Sequence, residues 1–149
     1  MDNYDHDDQE DLYNHSTQEI EPIEVILGVA GGLMGAGIGG AIWLALVIGA
    51  SIELGLLAIG IGVLAGMGVE RLSGRHGLLF QIIAAACALS VFFATKAVIV
   101  LYAAKQMTNT WFEPSMMGLY QEAFINSFGL FDLVWIGLVG YSAWAQLSD

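Results

Sequence analysis

Only four of the 149 residues are Lys or Arg, and charged residues of either sign make up just 13% of the chain. A soluble domain carries about 25%, so a largely solvated surface is excluded. Fifteen acidic residues leave a net charge of −11. That excludes a nucleic-acid partner, which needs a basic patch. Cys87 is the single cysteine, so no disulfide forms within the chain. It sits in an apolar run and reads as a buried structural thiol. The three histidines, His6, His15 and His76, fall in a polar tail and a polar loop. None lies in an apolar run, so haem cannot be ligated between helices. With no Ser/His/Asp set, no nucleotide loop and no metal-ligand spacing, neither an enzyme nor a cofactor is expected.

What the chain has in quantity is apolar residues, 56% of the total, and nineteen glycines. Val25 to Val69 is apolar throughout except for Ser51 and Glu53. A run that long and that hydrophobic reads as two membrane helices. The expected fold is all-α: an integral membrane four-helix bundle with a glycine-rich helical hairpin and an interfacial segment. Residues 1–22 form an acidic N-terminal tail, and 23–149 the transmembrane domain. The helices are expected at about 22–48, 52–69, 78–104 and 128–147. Pro22 suits a first helical turn. Gly49-Ala50-Ser51 reads as a turn, and Glu70 to Gly77 as a short polar loop. Residues 111–126 carry an apolar and aromatic side, as in a segment lying along the bilayer surface.

The glycines are spaced for helix packing. Gly28, Gly32, Gly35 and Gly39 recur at intervals of four and three, which puts them on one helix face. Gly31, Gly35 and Gly39 make an overlapping row. On the second helix, Gly55, Ala58, Gly62, Ala65 and Gly66 make another smooth face, and the two helices are expected to meet through these faces. Small residues let backbones approach closely in a membrane. The use is either packing within the chain, or oligomerisation and pore lining. Gly35-Ala36-Gly37-Ile38-Gly39-Gly40 also matches a dinucleotide fingerprint, but no strand precedes it and no acidic partner follows at the needed distance.

Charge sets the expected topology. Nine of the fifteen acidic residues lie in the first twenty-four positions, where there is no Lys or Arg. Such a segment has too little apolar surface to fold alone. It lacks the basic start of a secretory signal and reads as retained. Asp5, His6, Asp7 and Asp8 are types that ligate divalent ions, but their spacing fits no calcium loop and a solvated acidic tail is the plainer reading. Asn14-His15-Ser16 is a glycosylation sequon that arises often by chance. Arg71 and Arg75 place their loop in the cytoplasm, because cytoplasmic loops are enriched in Lys and Arg. Four crossings then put both termini there as well, with Lys105 on the opposite side.

Three ionisable residues reach a similar depth in that topology. At ~1.5 Å per residue, Glu53, Lys96 and Asp132 stand about 24–28 Å from the cytoplasmic helix ends. Charges there tend to pair. Lys96 with Asp132 is the natural ion pair, and Glu53 can join it. The cluster is a lock between helices, a set of side chains snorkelling to the interface, or a proton or ion relay.

The runs Gly40-Ala41-Ile42-Trp43, Glu53-Leu54-Gly55, Gly60-Ile61-Gly62 and Gly66-Met67-Gly68-Val69 resemble a group of small, uncharacterised bacterial multi-pass membrane proteins. Phe131-Asp132-Leu133-Val134-Trp135 is similar to the start of their last helix. The resemblance covers most of the membrane core but neither the tail nor the long connection. It implies a bacterial inner-membrane location and no activity.

Two functions fit. The first is a structural or accessory subunit of a larger membrane complex. Its partners would be lipid and membrane proteins with a basic cytoplasmic surface, held through Asp5, Asp7, Asp8, Glu10 and Asp11 of the tail. The second is a self-associating small channel or transporter that uses the glycine faces and Glu53, Lys96 and Asp132.

Overall fold

A computed structural model describes residues 20–50, 56–109 and 113–148, and the described residues contain helices and no strand. In chain order these are α1 (Pro22–Ala50), α2 (Leu56–Ser73), α3 (Leu78–Thr108), a 3-10 turn at Pro114–Met116, α4 (Met117–Asn126) and α5 (Leu130–Ala145).

Local chemistry sets each boundary. Pro22 opens α1, and the Glu24 carboxylate reaches back to accept the Glu21 N–H at 3.2 Å. α1 continues to Ala50, so Gly49 lies in its last turn and not in the expected turn. A glycine with apolar helical neighbours continues a helix at a cost of only about 1 kcal/mol. α2 likewise runs four residues past Val69. Its last turn carries Glu70 and Arg71, and the connecting loop shrinks to Gly74–Gly77. The Ser73 hydroxyl donates to the Val69 carbonyl at 2.7 Å. Gly74, at φ +63°, then donates its N–H to the Glu70 carbonyl at 2.9 Å. A left-handed glycine is the common way to satisfy the last carbonyls of a helix. Asn109 does the same for α3, at φ 60° with its N–H on the Lys105 carbonyl.

Three helices, α1, α2 and α3, are long and apolar enough to cross a membrane. The segment Pro114–Asn126 and α5 form a pair bent by 76°, and counted as one span they make a fourth. α5 has 16 residues, about 24 Å of helix against a hydrocarbon core of ~30 Å. α3 has 31 residues, about 46 Å, and extends well beyond such a core at one end.

α1 packs along α2, α2 against α5, α5 against α3, and α3 back against α1, with α2 and α3 also in contact. α1 and α5 therefore stand at opposite corners. α4 lies against α3 alone among the long helices. The interior is small and tightly filled: Ala36, Ala58, Ile61, Ala65, Ala84, Ala88, Val139 and Ala143 are completely buried. Only 33–39% of each of the three apolar spans is buried. The rest of their surface is still apolar, with Ile26, Met34, Ile38, Leu56, Leu78 and Leu133 all exposed. Soluble monomers rarely expose continuous apolar surface on this scale.

The glycine rows divide between neighbours. Gly31, Gly35 and Gly39 meet α2, where an added Cβ would overlap Gly68, Leu64 and Ile61 main-chain atoms. Gly28 faces Phe80 of α3, and Gly32 sits between Cys87 of α3 and Val69 of α2. The single face expected for Gly28, Gly32, Gly35 and Gly39 is thus two faces, because α1 is held between two helices. A second correction concerns α2. Its smooth face does not meet α1 as a whole: Gly62 and Gly66 pack toward α5, against Ser142, Val139, Ala143 and Gln146, while the Ala65 nitrogen lies beside Gly35 of α1. α2 meets α1 through Ile61, Leu64 and Gly68. Gly55 lies outside the described residues.

Candidate functional site

The two ends of the molecule carry different chemistry. At the end holding the α2–α3 loop, Arg75 Nε donates to Glu24 Oε1 at 2.9 Å, and Gln81 Nε2 donates to the Leu147 carbonyl at 3.0 Å. These bonds tie the start of α1 and the end of α5 to the α2–α3 connection. His76 and Glu70 stand 3.9 Å apart on the surface. These contacts staple helix ends together.

The opposite end holds two charges set within apolar helices. Lys96, eighteen residues into α3, places its Nζ 2.8 Å from Asp132 Oδ1, with both side chains largely buried. Asp132 lies inside the last helix, as expected, and in its first turn, because α5 starts at Leu130, two residues after the expected Phe128. Its second oxygen, Oδ2, accepts the Gly129 N–H at 2.8 Å. Glycine has no side chain to return the bond, so this is half of a capping box. The carboxylate is thereby held three ways: by the ammonium, by an otherwise orphaned backbone N–H, and by the positive end of the helix dipole. Lys96 Nζ also lies 5.4 Å from the Phe128 ring centroid, within the range of a cation–π contact.

Aromatic rings continue from that point across the molecule. Phe128 meets Phe124 edge-on at 5.1 Å and Phe93 at 5.8 Å. Phe93 meets Phe92 at 5.7 Å, and Phe92 stacks on Trp43 of α1 at 5.5 Å. The chain of rings links α4, the α4–α5 corner, α3 and α1.

Between the ion pair and Trp43 lies a cavity of about 390 Å³. Trp43 and Val47 of α1 form one wall, and Ala58 of α2 another. Phe92, Lys96, Ile99 and Val100 of α3 face Phe131, Asp132 and Trp135 of α5, with Ser127 at the rim. Trp43 is 6% exposed, and its Nε1 is the buried side-chain polar atom without a hydrogen-bond partner among the described residues. An unsatisfied buried donor costs about 1–3 kcal/mol.

Of the three charges expected to cluster, the structure brings Lys96 and Asp132 together. Glu53 lies outside the described residues, as do Asp5, Asp7, Asp8, Glu10 and Asp11 of the tail. Among the described residues no group of His, Cys, Asp and Glu could hold a metal ion. Sequence reasoning missed Trp43, Phe128 and Trp135 as parts of a site. The helical spacing of Phe124 and Phe128, and the placement of Trp135 one turn after Asp132, were the available signals. No family model matches the chain, and no curated protein and no solved structure matches it. The likeness to bacterial multi-pass proteins therefore rests on the glycine and apolar runs alone.

Proposed function

We propose that the chain is a structural or accessory subunit of a larger bacterial inner-membrane complex. In this reading α1, α2, α3 and the bent α4–α5 unit form a four-helix membrane bundle. Both termini lie in the cytoplasm, on the side of Arg71 and Arg75. α4 rests at the opposite interface.

The observation that carries the reading is where the small faces and the charges go. Gly31, Gly35 and Gly39 are filled by α2, Gly28 by α3, Gly32 by α3 and α2 together, and Gly62 and Gly66 by α5. None of these rows is left to line a pore. Both carboxylate oxygens of Asp132 are occupied by partners within the chain. The pair acts as a lock that joins α3 to the start of α5. What is left outward is apolar surface for lipid and neighbouring subunits, together with the acidic tail for a basic protein surface. Anionic headgroups would repel such a tail.

A channel or transporter formed by self-association is the second reading, and the cavity beside Lys96 and Asp132 is the observation that favours it. Purification in a gentle detergent separates the two. Different polypeptides co-purifying in fixed stoichiometry support the subunit. A homogeneous ring of this chain that conducts ions in liposomes supports the channel.

A further inference from the structure

We infer that the cavity between α1, α3 and α5 is a binding site for an uncharged amphiphile whose carbonyl oxygen accepts a hydrogen bond from Lys96. The inference rests on the membrane placement, but not on whether the chain is a subunit or a channel.

The argument begins with what the polar side of the cavity can still offer. Asp132 has one oxygen on Lys96 and the other on the Gly129 N–H. Each of its oxygens thus already has one partner, and the Ser127 hydroxyl at the same wall donates to the Phe124 carbonyl. An ammonium has three N–H donors, and one points to Asp132. The polar wall therefore offers a donor, and the ligand group that matches it is an acceptor. Net charge narrows the class further. The lysine and aspartate neutralise each other at 2.8 Å. An anionic head would meet the carboxylate, and a cationic head would meet the ammonium. A neutral carbonyl meets neither penalty.

The remaining walls are apolar and largely aromatic, with Trp43, Phe92, Phe131 and Trp135 around the space. They suit a flat ring or an acyl chain. The volume of about 390 Å³ falls in the range of ligand cavities, roughly 300–1,000 Å³. Of the eleven lining residues Lys96, Ser127 and Asp132 are polar and the other eight apolar, so the space offers a polar side and an apolar side, as an amphiphile requires. The depth agrees as well. Lys96 lies about 27 Å along α3 from Leu78, near the hydrocarbon edge, where the carbonyls of membrane amphiphiles reside.

Two sources share this chemistry: the ester carbonyl of a bilayer lipid, and a free carbonyl-bearing amphiphile such as a quinone. Tryptophan fluorescence separates them, because two of the four tryptophans, Trp43 and Trp135, line the cavity. The full chain carrying Trp111→Phe and Trp144→Phe, delipidated in maltoside micelles, would report on those two alone. It is titrated separately with decyl-benzoquinone and with phosphatidylcholine brominated on its acyl chain; both quench on contact. Saturable quenching by the quinone identifies a free amphiphile, and saturable quenching by the brominated lipid identifies a bilayer lipid. Val100→Phe, which fills the cavity and leaves the ion pair in place, should weaken the saturable binding at least tenfold. Lys96→Met, which keeps the length of the side chain and removes every donor, should weaken it similarly. Quenching that does not saturate with either probe, or that is unchanged in Val100→Phe with its thermal midpoint preserved, overturns the inference. Unchanged affinity in Lys96→Met removes the hydrogen bond and with it the stated ligand class.

Discussion

Replacing Gly35 and Gly37 by alanine, one at a time, probes the packing of α1 with little change in composition. Both glycines lie in the same helix, and alanine is the better helix former at each by up to about 1 kcal/mol. Their surroundings differ. A Cβ at Gly37 meets nothing within 4 Å, so Gly37→Ala should keep the whole gain. At Gly35 the same carbon would overlap the Leu64 carbonyl oxygen and lie 3.3 Å from the Ala65 nitrogen. Those are main-chain atoms of α2 and cannot rotate aside, so the helices must separate. Overpacking costs about 1–3 kcal/mol, and a backbone clash belongs at the top of that range. Gly35→Ala should therefore destabilise by about 2 kcal/mol net, which puts the two variants about 3 kcal/mol apart. Reversible unfolding by SDS titration in mixed micelles, followed by far-UV circular dichroism, measures the difference. If Gly35→Ala proves as stable as Gly37→Ala, the close approach of α1 and α2 is wrong. Leucine should sharpen the contrast: Gly35→Leu and Gly62→Leu should be severe, and Gly49→Leu mild, since none of the described residues would lie within 4 Å of a Cβ at Gly49.

Other consequences are equally direct. Lys96→Met should cost roughly 3 kcal/mol by leaving a buried carboxylate without its cation. A double-mutant cycle with Asp132→Asn, which keeps an acceptor for Gly129, should give a coupling of about 0.5–3 kcal/mol; zero coupling would mean that the two side chains do not meet. Reporter fusions at Gly74 and at the C-terminus should both read cytoplasm, and a periplasmic signal at Gly74 would reverse the orientation. Deleting residues 1–18 should release the protein from its assembly with its helices still inserted, and binding of the intact tail should weaken as salt rises. Full occupancy of every partner after truncation would dismiss the tail as the contact.

The helical class, the three long apolar helices and the scarcity of charge inside them were legible in the residues, while the expected fourth span is a 16-residue helix that reaches span length only with the bent Pro114–Asn126 segment. Run length and hydropathy are local properties, and a chain that must satisfy every backbone group in hydrocarbon has few options besides helix. The pairing of Lys96 with Asp132 was also within reach, because two opposite charges at one depth have strong reason to meet. Element boundaries were less legible. α2 outlasted its apolar run because Ser73 and Gly74 supply the stop, and the capping role of Asp132 depends on Gly129 three residues earlier.

The neighbours were decided only by tertiary structure. Spacing shows that Gly28, Gly32, Gly35 and Gly39 lie close on α1, but not that Gly28 faces α3, Gly32 both α3 and α2, and Gly35 and Gly39 α2. Gly62 and Gly66 look just as ready for α1 as for α5. Periodicity describes one helix at a time, while the partner of a face depends on the order of helices around the core. The cavity belongs to the same level. Its walls come from four helices, and an empty space among side chains has no signature along any single one. It exists because α1 and α5 stand at opposite corners, a relation that no local pattern encodes.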